Sequence, residues 1–223
     1  DLVRFDRYIA INPPVDLMYG LDTLDDFYHA ALAWPADQRT AKIDHTFRKV
    51  AALIIANAAR EGQTDAGPPP MLPFDRTESG FLIGYTYRTI LRDIIYASQS
   101  RIDLGILQQP LRKLRRAAVY EEIAGYSYTE YLNTFVIPYF QGGGATEADV
   151  RNASDLKNCT SGLRRVADLR IVASADDFLL QAGDLSWLRS LVPAERITVF
   201  GDGGHMGSLA ADAGQIAVIN CLS

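Results

Sequence analysis

Val199-Phe-Gly-Asp-Gly-Gly-His-Met-Gly207, read together with Ile171-Val-Ala-Ser-Ala-Asp-Asp-Phe178, decides the fold. Each stretch is a short apolar run, rich in β-branched residues, that ends in ionisable side chains. That is the pattern of a strand buried on both faces of a parallel sheet, delivering polar groups at its carboxyl end. In open α/β sheets this edge is where ligands bind. The interval between the stretches holds one helix and one strand, which places Asp177 and His205 on neighbouring loops.

Working outward, the pattern predicts a strand over 169–173, a helix over 183–191, a strand over 196–200 and a closing helix from about 209 to 220. Upstream, Phe5-Asp-Arg-Tyr-Ile-Ala-Ile-Asn-Pro13 reads as a further strand of the same buried type, ended by Pro13-Pro14. Between them the period becomes helical. Leu21, Leu24, Phe27 and Tyr28 share one face, and Ile43, Phe47, Val50, Leu53 and Ile54 share another. Residues 63–73, with four prolines, read as a loop. Beyond it, helices are expected over 81–96, 102–107 and 110–124, the last with Pro110 in its first turn. Gly142-Gly-Gly144 is a break, and 145–166 a polar helical or irregular segment.

Composition excludes several classes. The 223 residues carry a formal net charge of −5, and the one compact basic run, Arg112-Lys-Leu-Arg-Arg116, reads as a solvated face rather than a nucleic-acid footprint. The most apolar stretch, Ala51-Ala-Leu-Ile-Ile-Ala-Asn-Ala-Ala59, falls short of the ~20 residues of a membrane helix. Cys159 and Cys221 are too few for a disulfide framework, although they can pair in an oxidising compartment. No metal site and no cofactor is expected, and the compartment stays open, cytoplasmic, periplasmic or secreted.

Two motifs bear on chemistry. Gly125-Tyr-Ser-Tyr-Thr129 comes close to the Gly-x-Ser-x-Gly nucleophile elbow, but Thr129 replaces the last glycine and the preceding residues carry Glu121 and Glu122 where a buried strand is needed. Ser127 with Glu130 three residues on matches a helix capping box instead. In the second motif, glycines 201, 203, 204 and 207 permit a tight turn that presents His205. A general base of this kind is oriented by an acid on its other ring nitrogen. Asp177 is the candidate, with Asp176 as the alternative. Against both stands the plainer reading, in which His205 decorates a turn and the Asp pair caps the next helix.

Asp-Leu-Arg-Ile-Val-Ala-Ser-Ala-Asp-Asp from 168, followed by Arg-Ile-Thr-Val-Phe-Gly-Asp-Gly-Gly-His-Met-Gly from 196, resembles the acid turn and His turn in the C-terminal half of an α/β-hydrolase. The first strand resembles the one that follows the nucleophile helix in that fold. The resemblance implies an incomplete α/β-hydrolase: a core strand in 1–14, a helical lid insertion over 15–167, and the C-terminal core over 168–223. It selects Asp177, although Ser174 replaces the glycine that usually opens the acid turn. It also implies that the nucleophile, expected to be Ser, and the oxyanion loop precede residue 1, so that the missing N-terminal part of the fold is itself a partner. The activity implied is hydrolysis of a small ester or acyl substrate, with Phe81, Leu82, Tyr85, Tyr131, Phe135 and Tyr139 as candidate lining of an apolar pocket. A non-catalytic binding protein of the same fold and an Asp-nucleophile hydrolase are the alternatives.

Overall fold

The computed structural model describes residues 5–60, 74–111 and 116–222. The proline-bearing loop at 63–73 and most of the basic run at 112–116 lie outside them. In chain order the elements are β1 (Tyr8–Ile11), α1 (Leu17–His29), α2 (Arg39–Ala58), α3 (Arg76–Arg101), α4 (Ala117–Ile123), α5 (Tyr128–Tyr131), α6 (Ile137–Gly142), α7 (Glu147–Ala153), α8 (Thr160–Leu163), β2 (Leu169–Ser174), α9 (Asp184–Leu191), β3 (Ile197–Phe200) and α10 (Asp212–Leu222). The protein is mixed α/β. It divides into two compact units, one of residues Asp1–Thr23 with Phe135–Ser223, the other Leu24–Thr134.

The first unit is built on a parallel sheet in the order β1-β2-β3. Tyr8 pairs with Leu169 and Ile11 with Val172 on one side of β2, while Ile171 pairs with Ile197 and Ser174 with Phe200 on the other. Alternation decides the faces. Leu169, Ile171 and Ala173 pack with Val15 and with Leu188 and Leu191 of α9. The opposite face turns toward α10, where the Arg170 guanidinium donates to the Asn220 carbonyl at 3.1 Å. Helices therefore flank the sheet on both faces. The apolar run of β1 predicts a strand buried on both faces, but β1 is only half-buried, with Tyr8 43% exposed. Among the described residues β1 has β2 as its one neighbour, so it forms an edge.

The second unit is helical, as its period requires. Ala31, Trp34 and Phe81 form a core with Ile43 and Phe47, and Leu91 and Ile95 of α3 are fully buried. Gly84 sits where α3 meets the backbone of α1: a Cβ there would stand 2.1 Å from the Tyr28 nitrogen. Asp75 and Glu78 form a capping box at the start of α3, and Lys49 pairs with both Glu78 oxygens at 2.8 Å. The Ser127 capping box is present too. Its Oγ accepts from the Glu130 N–H at 3.0 Å, Glu130 accepts from the Ser127 N–H at 2.7 Å, and the Asp25 carboxylate accepts from the Tyr128 and Thr129 N–H groups at 2.9 Å each.

The helix expected over 102–107 does not form. Gly105 adopts a left-handed φ of 68°, and the Leu104 N–H is taken by the Gln99 side chain. Nor does a helix begin at Pro110. The N–H groups of Gln108 and Gln109, just before it, are held by the two Glu122 carboxylate oxygens at 2.7 and 2.8 Å. Among the described residues, the next helix is α4, from Ala117. Of the aromatic side chains suggested for a pocket, Phe81 is core, whereas Tyr85 and Tyr139 are 44% and 46% exposed.

Candidate functional site

The site lies wholly in the first unit, at the carboxyl ends of the three parallel strands. After Ser174 the chain turns sharply. The Asp177 N–H reaches back to the Ser174 carbonyl at 3.3 Å, and the Ala175 N–H bonds to the Phe200 carbonyl at 2.8 Å, tying the acid loop to the end of β3. Asp177 closes an Asx turn, its Oδ1 accepting from the Leu179 N–H at 2.9 Å. Neither Asp176 nor Asp177 caps α9. Gly183 occupies that N-cap position, with a left-handed φ of 91°.

Beyond β3 the backbone runs through left-handed conformations at Gly203, Gly204 and Met206, with φ of 115°, 55° and 68°. Gly203 has no room for a side chain, because a Cβ would meet the Ser208 nitrogen at 2.8 Å. These turns aim His205 back at the acid loop. Its Nδ1 stands 3.0 Å from Asp177 Oδ2. The Asp177 side chain is 1% exposed and that of His205 15%, while Phe178 flanks the imidazole at 5.7 Å between ring centroids. Asp176 faces elsewhere: its Oδ1 accepts from the Gly204 N–H at 2.8 Å, and the residue is exposed. Asp177 and His205 are thus brought together, and Asp176 shapes the turn between them.

Electrostatics follow from these contacts. Burial works to raise the Asp177 carboxyl, but the hydrogen bonds from His205, the Leu179 N–H and Asn12 outweigh it and hold the group below the usual carboxylate range. A buried carboxylate accepting from Nδ1–H fixes the imidazole with its lone pair on Nε2, the arrangement of a general base.

One member of the site goes unassigned in the sequence reading. Asn12, 1% exposed, follows directly on β1, and its Nδ2 lies 3.0 Å from Asp177 Oδ2, 3.1 Å from the Gly204 carbonyl and 3.4 Å from Ser174 Oγ. A signal was present: Asn12 ends a strand and precedes Pro13-Pro14, so it belongs to the same sheet edge as Asp177 and His205.

No group of three or more His, Cys, Asp or Glu side chains among the described residues could hold a metal ion. Cys159 is exposed and Cys221 buried, and both are free thiols. No helix among the described residues is long and apolar enough to cross a membrane. In comparisons with known proteins, no protein-family model, no curated protein and no solved structure matches the chain.

Proposed function

We propose that the chain carries the acid and base of a serine hydrolase of α/β-hydrolase type, acting on carboxylic esters through an acyl-enzyme. The observation that carries this reading is the 3.0 Å contact between His205 Nδ1 and the buried Asp177 Oδ2, made at the carboxyl ends of adjacent parallel strands. In the proposed reaction a Ser hydroxyl attacks the ester carbonyl as His205 Nε2 takes its proton. His205 then returns that proton to the departing alkoxide. Water, deprotonated by the same nitrogen, releases the acid and regenerates the Ser. Asp177 holds the tautomer throughout and stabilises the imidazolium. No residue of this chain is assigned as the Ser.

The test uses the full-length protein, a fluorophosphonate probe and a series of aryl esters of graded acyl length. Expected are covalent labelling at one Ser and ester turnover that falls by on the order of 1,000-fold or more in His205→Ala. Absence of both labelling and turnover in the wild type would sink the serine-hydrolase reading and leave a binding protein or an Asp-nucleophile enzyme. Retained turnover in His205→Ala would remove His205 from its role.

A further inference from the structure

Asn12 is held in a conformation its side chain must justify. Its φ of 44° is left-handed, and it is followed by Pro13, which disfavours compact backbone in the residue before it. Only one other described non-glycine residue, Met206, shares a positive φ, and it adjoins His205. Such outliers persist where surrounding interactions over-determine them. Here the interactions are specific. The Asn12 N–H still continues the ladder to the Val172 carbonyl at 2.7 Å, so the residue is fixed to β2 through its backbone. Its amide nitrogen has two hydrogens, and two acceptors stand at full hydrogen-bond distance: Asp177 Oδ2 at 3.0 Å and the Gly204 carbonyl at 3.1 Å. These are the atom His205 leans on and the peptide that immediately precedes His205.

Each member of the pair is therefore referred to one rigid point. Asp177 Oδ2 receives Asn12 and His205, while Oδ1 receives the Leu179 N–H. Both peptide groups of Gly204 are held, its N–H by Asp176 and its carbonyl by Asn12. The Asn12 Oδ1 is buried with no hydrogen-bond partner among the described residues. The side chain's orientation is dictated by the two donations, because turning the amide over would set oxygen against the Asp177 and Gly204 oxygens.

Building on the hydrolase reading of this site, we infer that Asn12 is a positioning residue that locks the Asp177 carboxylate and the His205 loop in register through its two side-chain N–H groups.

The test compares full-length wild type with Asn12→Gly, which keeps the left-handed backbone and removes the amide, and with Asn12→Asp. His205 is one of three His in this chain, and its Nδ1–H is assigned by the signal that His205→Ala removes. In the wild type the Nδ1–H bonded to buried Asp177 gives a downfield, slowly exchanging proton. In Asn12→Gly that signal is lost or broadened while circular dichroism is unchanged, and kcat on the aryl esters drops on the order of 100-fold with KM little altered. In Asn12→Asp a protonated carboxyl supplies one of the two donations, so the Nδ1–H signal recovers at acid pH and is lost as that proton leaves. The wild type lacks this pH dependence. A wild-type Nδ1–H signal and kcat within two-fold in Asn12→Gly would overturn the inference. Should Asn12→Gly not fold, a wild-type pH dependence in Asn12→Asp overturns it instead. If the wild type neither turns over esters nor reacts with fluorophosphonate, the hydrolase reading fails, and the NMR comparison still decides whether Asn12 positions the pair.

Discussion

Asp176 and Asp177 are adjacent carboxylates on one loop, and replacing each by Asn should give sharply different results. Asn at 177 keeps one oxygen for the Leu179 N–H but sets an NH2 where Oδ2 met the Asn12 amide and His205 Nδ1, both at 3.0 Å. His205 can respond by moving its proton to Nε2 and accepting at Nδ1. Asn12 cannot respond, because reversing its amide would oppose its oxygen to the Gly204 carbonyl. One buried donor is left unmet and the charge-assisted bonds to Oδ2 are lost, together about 2–4 kcal/mol. Asn at 176 keeps the acceptor for the Gly204 N–H at an exposed position, so the change should stay within about 0.5 kcal/mol. Urea unfolding of the full-length protein at neutral pH reads both values. The pH dependence has a definite sign. Because the Asp177 carboxyl is depressed in the folded state, its contribution is present above the unfolded carboxylate range, near ~3.9, and lost as the pH falls through the lowered folded value. The gap between wild type and Asp177→Asn should therefore narrow on acidification. Equal effects at 176 and 177, or a gap that widens in acid, would refute the assignment of Asp177 as the buried partner of His205.

Ser127→Ala removes a helix cap and should cost about 1 kcal/mol while leaving fluorophosphonate labelling unchanged, since Asp25 still holds the Tyr128 and Thr129 N–H groups. Loss of labelling would restore Ser127 as a candidate nucleophile. Gly84→Ala gains about 1 kcal/mol of helix propensity but drives a methyl into the Tyr28 backbone, a clash of about 1–3 kcal/mol or more that no side-chain rotation relieves. A thermal midpoint lower than wild type is expected, and one equal or higher would show that α1 and α3 are not in contact at Gly84.

The sheet edge was legible because strands are short-range objects. Ile171-Val-Ala and Ile197-Thr-Val each announce a buried strand, and the glycines around His205 announce a turn, with no knowledge of partners. Ser127 and Glu130 gave their cap away for the same reason, since both halves of a capping box lie within one helical turn. The misreadings arose where distant side chains outcompete local preference. Glu122 pins the N–H groups of Gln108 and Gln109 across 14 and 13 positions, which no local window registers, and the expected helix start at Pro110 is lost. The choice between Asp176 and Asp177 is likewise a matter of which carboxylate faces inward. Asn12 stayed unread because its bonds span 165 positions to Asp177 and 192 to Gly204.

The neighbour of Asn12 has a chemical consequence for how long the site can last. Asparagine side chains age chiefly through a cyclic imide, formed when the backbone nitrogen of the next residue loses its proton and attacks the amide carbon. The nitrogen after Asn12 belongs to Pro13 and carries no hydrogen to lose. The imide route to aspartate or isoaspartate is closed at the one amide that ties both loops together, so the site is protected from a slow covalent drift that would set a second carboxylate against Asp177.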